Sequence, residues 1–387
     1  MKHKSKLLKL VVLTAIGITL FSSCWKDKTL RDRENQYPNL DITPSYGLPL
    51  CTYDVTCENL LNYLNEEYLE KMFDVEFKED EDYLGYFIYN QTTANCTIDY
   101  TENPLHVSGD FPMIEVVSND TLIVHQAQIR GYATNYSNNS LYLDNALLYY
   151  MNSNGDRKDI SISLAEPPYI PNQPRTTHVF NAVANEPMDL LGYGTTVYYD
   201  FQGHIDEGSD TSGTMDITPE IHVPAWVTLS NCIAHDTVYL DEVDLENILS
   251  YNDSIADGKI RITGLSLRTS FINYFPFAAT VTCMLMDSNM NDLGLLIDHP
   301  VTLDAGATNA SYKVVTPAEK RVQIDMKEGD QLYENLKKTR YLKLIEIYDS
   351  YNHKDVKLFK ENYLRIKLSV AFKTDVKGNI SDIIESF

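Results

Sequence analysis

Four carboxylate or amide side chains crowd into DSNMNDLG: Asp287, Asn289, Asn291 and Asp292. Oxygen ligands at close spacing are what a hard cation such as calcium takes from a loop. The stretch departs from an EF-hand loop at two places. Asp292 stands where the sharp turn needs glycine, and Asp298 stands where a bidentate glutamate belongs. These residues are metal candidates, and the simpler expectation is a polar hairpin turn. HIDEGSD (204–210) is a second acidic loop of the same kind. With 55 Asp and Glu in the chain, two carboxylates at glycosidase separation could meet across almost any pair of strands. No P-loop, GxSxG elbow, HExxH or paired-cysteine zinc motif occurs, and no cofactor is implied. The 27 tyrosines suit stacking against sugar rings, but tyrosine also serves as an ordinary strand residue with a wet hydroxyl.

The elements that would position such groups are mostly strands. One helix is expected in CENLLNYLNEEYLEKMF, where Leu60, Leu61, Leu64, Tyr68, Leu69 and Met72 recur at helical spacing. FDVEF and LGYFIYN flank an acidic turn at 78–82 and read as a hairpin. In GKIRITGLSLRTSF the apolar alternation slips at Gly264, as a strand with a bulge would. FAATVTCMLMD places Phe277, Ala279, Val281, Cys283 and Leu285 on one face. QIRGYATNY (128–136) and SLRTSFINY (266–274) share an arginine and a closing Asn-Tyr at an offset of 138, which points to an internal duplication. NEPMDLLGYG and GDQLYENLKK are expected to form short helices at corresponding places. The fold class is therefore mainly β, with tandem antiparallel β-sandwich-like modules and a short α-helical N-terminal element. The expected division is 1–23 leader, 24–45 tether, 46–110 helix plus hairpin region, 111–230 first β module and 231–387 second β module.

Location is written at the start of the chain. Lys2, Lys4, Lys6 and Lys9 precede an uncharged apolar run from Leu10 to Phe21. As a helix its twelve residues rise about 18 Å, well short of the roughly 30 Å hydrocarbon core. A secretory signal fits better than a membrane span. Leu20-Phe21-Ser22-Ser23-Cys24 resembles the lipobox of bacterial lipoproteins, and Trp25-Lys26-Asp27-Lys28 is similar to the surface-export signal of the Bacteroidetes type. That signal usually carries a second acidic residue where Lys28 stands. The order HDTVYL, NYFPF, then a strand ending Met-Asp-Ser-Asn resembles envelope lipoproteins of the same group with tandem β-sandwich modules. The resemblance implies lipid attachment at Cys24 and an outer-membrane, surface-exposed location, and it carries no catalytic residue. Asp120-Thr121-Leu122, Asp236-Thr237-Val238 and Asp253-Ser254-Ile255 resemble that group's O-glycosylation acceptors, at Thr121, Thr237 and Ser254.

Charge narrows the function classes. A formal charge of −23 argues against nucleic acid, which requires a basic footprint, and against adsorption to anionic lipid. The residues from Lys313 to Lys377 run the other way, with 15 Lys and Arg against 10 Asp and Glu. After Cys24, the cysteines Cys51, Cys57, Cys96, Cys232 and Cys283 match no zinc spacing and are expected as small core residues. A Cys51–Cys57 or Cys51–Cys96 bridge would be the exception. The expected role is non-catalytic: binding, adhesion or scaffolding by a membrane-held protein at the outer membrane, with a glycan or another envelope protein as partner. The alternative is a glycan-active enzyme whose carboxylate pair is assembled across strands.

Overall fold

The computed structural model describes residues 39–42, 45–79, 82–91, 93–112, 121–151, 156–164, 169–189, 196–205, 210–240, 260–327, 329–350 and 354–379. Cys24, the leader, Ser254 and the 206–209 part of HIDEGSD lie outside these residues. No described helix is long and apolar enough to cross a membrane.

In chain order the strands begin with β1 (Asn39–Ile42) and β2 (Ser45–Thr56), followed by helix α1 (Cys57–Glu67). Next come β3 (Asp74–Lys78), β4 (Leu84–Asn90), β5 (Ala94–Asp99), β6 (Leu105–Pro112), β7 (Thr121–Val124), β8 (Gln128–Asn135) and β9 (Leu141–Met151). The middle of the chain forms β10 (Arg157–Leu164), β11 (Tyr169–Ile170), β12 (His178–Ala184), β13 (Met188–Asp189), β14 (Thr196–Ile205) and β15 (Ser212–Pro224). Then follow β16 (Trp226–Ser230), β17 (Cys232–Tyr239), β18 (Ile260–Asn273), β19 (Ala278–Met286), β20 (Asp292–Leu295), β21 (Val301–Leu303), β22 (Ala307–Thr308), β23 (Val314–Thr316) and β24 (Ala318–Met326). Helix α2 (Gln331–Lys338), β25 (Tyr341–Asp349), β26 (Val356–Lys357) and β27 (Tyr363–Asn379) close the described chain.

Two copies of one topology emerge from the pairing, which is antiparallel throughout. In the first copy one sheet runs β5-β15-β8-β12, and the facing sheet runs β6-β14-β9 with β10 and β11 beside β9. In the second copy one sheet runs β2-β27-β18-β24, and the facing sheet runs β17-β25-β19 with β20 and β21 beside β19. Counted along the chain, both have the order 1-8-3-6 facing 2-7-4-5, which is a jelly roll of eight strand positions. The mainly β fold with sandwich-like modules is therefore what forms. One feature lay beyond the sequence reading. The first roll, β5 to β15, sits in the chain between the first and second strands of the second roll. β1 and β2 precede it, and both pair with β27. Arg365 on β27 fixes that closure by a two-pronged bond to Asp54 on β2 at 2.6 and 2.7 Å, a match of planar fork to carboxylate.

An asparagine common to both copies explains part of the sequence repeat. Asn135 and Asn273 end β8 and β18 and are buried at 1% and 0% exposure. Each accepts from the backbone N–H two residues on, Ser137 or Phe275, at 3.0 Å. Each donates to the carbonyl four residues on, Asn139 or Phe277, at 2.8 Å. Each also reaches a carbonyl on a more distant loop, Ile170 at 3.4 Å or Asp304 at 2.9 Å. The amide thus serves buried backbone groups at a corner where no strand partner can.

Local expectations mostly match. β3 and β4 form the hairpin, and β18 shifts register between Ile262 and Gly264. β19 buries Ala279, Val281, Cys283 and Leu285 on one face, leaving Met284 and Met286 half-buried. The α1 helix stops at Glu67, earlier than the apolar spacing suggested, because Glu70 and Lys71 take positive φ. Beyond it Tyr68, Leu69 and Phe73 still enter the core. GDQLYENLKK forms α2, but in NEPMDLLGYG Met188–Asp189 is a short strand on β7 rather than the start of a helix. No disulfide joins the five described cysteines, so neither the Cys51–Cys57 nor the Cys51–Cys96 bridge forms. Cys57, Cys232 and Cys283 are core residues and Cys51 and Cys96 pack half-buried against them.

Helix α1 covers the open edge of the second roll. β17 is an edge strand, whose outward backbone groups would otherwise be open to another chain. The hydroxyl of Tyr68 accepts from Ile233 N at 2.9 Å, and Tyr63 is bonded to the His235 backbone. Tyr68→Phe removes one such cap and is expected to cost about 1 kcal/mol in urea denaturation. An unchanged midpoint would show that the cap contributes nothing. The buried side chains of both rolls and of α1 form one continuous cluster.

Candidate functional site

The outer face of the β6-β14-β9-β11 sheet gathers aromatic, imidazole and carboxylate side chains that alternation turns away from the core. On β9 the residues Leu141, Leu143, Ala146 and Leu148 are buried, so Tyr142 and Tyr149 point outward. On β14 the buried Val197, Tyr199, Phe201 and Gly203 leave Tyr198, Asp200, Gln202 and His204 on the outer side.

Strand register then sets two rows. Tyr169, Tyr142 and His204 lie opposite one another on three neighbouring strands. Their ring centroids are 4.8 and 5.0 Å apart, and the Tyr142 and His204 planes are only 8° from parallel. In the second row Tyr149 and Tyr198 stack at 5.0 Å and 11°, and the Arg157 guanidinium sits 3.9 Å from the Tyr149 centroid. Tyr198 and His204 are six positions apart on β14, with a bulge at Asp144 on the facing β9, so the rows stand roughly 20 Å apart at about 3.3 Å per residue. Between and beside them are two imidazole–carboxylate pairs. His204 Nδ1 lies 2.6 Å from Asp144, and His106 Nδ1 lies 3.0 and 3.1 Å from the two Asp200 oxygens. Tyr169 is 46% exposed, and the His204 and Asp144 side chains are about half exposed.

Chemically, this is a wide polar face with rigid rings and paired donors and acceptors, which suits a flat or extended hydroxylated ligand. Sequence reasoning noted the tyrosines but not their rows. Each strand's parity was readable, but which tyrosines meet depends on register between strands dozens of residues apart.

The residues singled out by sequence fall elsewhere. Asp287 closes the β19–β20 hairpin: its Oδ1 accepts from Asn289 N at 2.8 Å and Asn291 N at 2.9 Å, and its Oδ2 from the Asn291 amide at 3.0 Å. Those bonds, the Asn291 side chain first, hold its carboxyl below the usual carboxylate range. Asp292 Oδ1 accepts from Gly294 N at 2.6 Å. The carboxylates thus serve the turn's own backbone, and no group of three or more metal-type side chains is gathered among the described residues. Thr237 lies exposed on edge strand β17, while Thr121 begins β7.

A second concentration of titratable groups lies inside the second roll. Glu346 is 1% exposed on β25, and among the described residues its Oε1 has no hydrogen-bond partner, nor has the hydroxyl of the buried Tyr348. Asp236 on neighbouring β17 shares the inner face and takes a hydrogen bond from Tyr53 on β2. Burial, and then the Asp236 charge, push the Glu346 carboxyl up to about 8. Burial likewise drives the Cys283 thiol up to about 12.

No family model matches the chain, and no curated protein matches it. Among solved structures it is similar to a protein of Parabacteroides distasonis described as secreted, at 13% identity and TM-score 0.44, covering 85% of this chain and 99% of that one. It is also similar to the tandem CBM22-1–CBM22-2 domain of Paenibacillus barcinonensis Xyn10C, at 8% identity and TM-score 0.23, covering 77% and 97%. A third likeness is to an infectious bursal disease virus structure, at 6% identity and TM-score 0.23, covering 78% and 43%. These likenesses are remote, and the assignment of two jelly rolls rests on the strand order itself.

Proposed function

We propose that this is a non-catalytic binding protein of the outer membrane, held by lipid at Cys24, that engages a glycan through the outer face of the first roll. The paired ring rows flanked by His204–Asp144 and His106–Asp200 carry the reading. Sugar hydroxyls donate and accept at once, which matches a surface of fixed carboxylates, imidazoles and phenols, and pyranose C–H faces pack on aromatic rings. Rings anchored across three strands lose little freedom on binding.

Two double variants test it, Tyr142→Ala with Tyr169→Ala and Tyr149→Ala with Tyr198→Ala. In affinity electrophoresis against a panel of polysaccharides each is expected to weaken retention at least tenfold, about 1.4 kcal/mol. Retention of every polymer unchanged in both variants, or no retention by the wild type, would reject the reading. The anchor is tested separately: Cys24→Ala is expected to move the chain from the membrane to the soluble fraction. Thr121, Thr237 and Ser254 remain proposed O-glycosylation acceptors; among them Thr237 has an exposed described side chain.

An enzyme is favoured by one observation, the inward pair Glu346 and Asp236 with the raised Glu346 carboxyl, since perturbed carboxylates cluster at catalytic sites. Against it, Glu346 is enclosed by the core. Release of reducing sugar from any polymer of the panel, lost in Glu346→Gln, would establish the enzyme instead.

A further inference from the structure

A cleft of about 270 Å³ opens where a loop of the second roll meets the strands joining the two rolls. Thr308, Asn309, Tyr312, Lys354 and Asp355 line it around Pro276. Its walls are fixed before any ligand arrives. The Asn309 side-chain oxygen accepts from Ser311 N and Lys313 N at 2.9 and 3.0 Å, and Asn309 N donates to Lys313 O at 2.9 Å. This tight loop holds Tyr312 at φ +65°, a left-handed conformation that a bulky residue rarely adopts and that tends to mark functional positions.

On the opposite wall, Trp226 Nε1 donates to Asp355 Oδ2 at 2.6 Å. Trp226 is itself held by stacking with His125 at 5.6 Å and by the Lys357 ammonium 4.2 Å from its ring. Trp226 and Lys357 are register partners on β16 and β26, so the Asp355 carboxylate inherits the rigidity of that sheet. The Tyr312 ring leans on Trp226 at 5.8 Å.

We propose that this cleft binds a single sugar ring through a vicinal diol. A neighbouring carboxylate and ammonium, Asp355 and Lys354, accept and donate to adjacent hydroxyls, which each do both. Thr308 adds a hydroxyl, while Pro276 and Tyr312 supply the apolar surface that a ring's C–H face needs. The volume lies just below the usual range for drug-sized ligands and fits one ring rather than a chain. The inference shares its ligand class with the proposed function but concerns a separate site with separate residues.

The test uses the full chain and free glucose, galactose, mannose, fucose and N-acetylglucosamine, followed by ligand-observed NMR. At least one sugar is expected to bind the wild type in the millimolar range. Its binding should fall at least tenfold in Lys354→Ala and in Thr308→Val, both exposed positions whose replacement leaves the core intact. Tyr142→Ala with Tyr169→Ala should keep it. The proposal is overturned if no sugar of the panel binds by tens of millimolar, if the cleft variants bind as the wild type does, or if only the face variant loses binding. Polymer retention lost in the face variant, with no free sugar bound by the wild type, would leave the proposed function standing while this cleft site fails.

Discussion

Replacing Glu346 by glutamine is expected to stabilise the protein above pH 8 and to leave it nearly unchanged at pH 5. The carboxyl sits inside the second roll, with one oxygen unpartnered among the described residues and Asp236 on the same inner face. Its ordinary value of 4.5 is raised to about 8, by burial first and by Asp236 second. Between those two values the folded chain keeps a proton that the unfolded chain has released. Stability must therefore fall as pH rises from about 4.5 to about 8 and level off above. At 1.36 kcal/mol per unit the full loss is of order 3–5 kcal/mol, a large fraction of what holds a domain together. Glutamine keeps the shape and cannot ionise, so the variant's curve should be flat over this window. Thermal or urea midpoints from pH 5 to 9 measure it. A wild-type midpoint that does not decline over that range would sink the idea. Tyr348→Phe offers a companion measurement. The hydroxyl it removes has no partner among the described residues, so the change is expected to be neutral or slightly stabilising, unlike a tyrosine whose bond is lost.

The second large effect concerns the repeated corner. Asn273→Ala is expected to destabilise by about 2–4 kcal/mol, because it strips a partner from each of three backbone groups, two of them buried. Phe275 N and Phe277 O are the buried groups, and Asp304 O is in a half-buried bond rather than a buried one. Asn135→Ala should act in the same direction with a smaller effect, since its distant bond to Ile170 is 3.4 Å against 2.9 Å for Asp304. Urea unfolding of the two single variants and the double variant reads both values. Equal costs near zero would show that water satisfies these corners, and that the shared Asn-Tyr is incidental to the fold.

Much of this was legible in the sequence. Alternation gave the faces of β18 and β19, the slip at Gly264 gave the bulge, and the Asn-Tyr pair at an offset of 138 marked equivalent corners. Such features depend on neighbours a few residues apart, so local pattern suffices. Glu346 was readable in principle. In YLKLIEIYDS, once Lys343 is set outward, parity puts Leu342, Leu344, Glu346 and Tyr348 inward. Ile345 and Ile347 blur that choice, because the opposite face is equally apolar at that end.

By itself the sequence determined a β-rich chain and a duplicated unit, while a leader and an anchor at Cys24 are proposals from the same residues. Tertiary structure alone decided that β2 closes on β27, more than 300 residues later, with the first roll threaded between its own partner strands. It also decided which outward tyrosines form rows and which carboxylate was sealed inside. The reason is physical: period-two patterning fixes which face a side chain takes, while hydrogen-bonded register between distant strands fixes whom it meets.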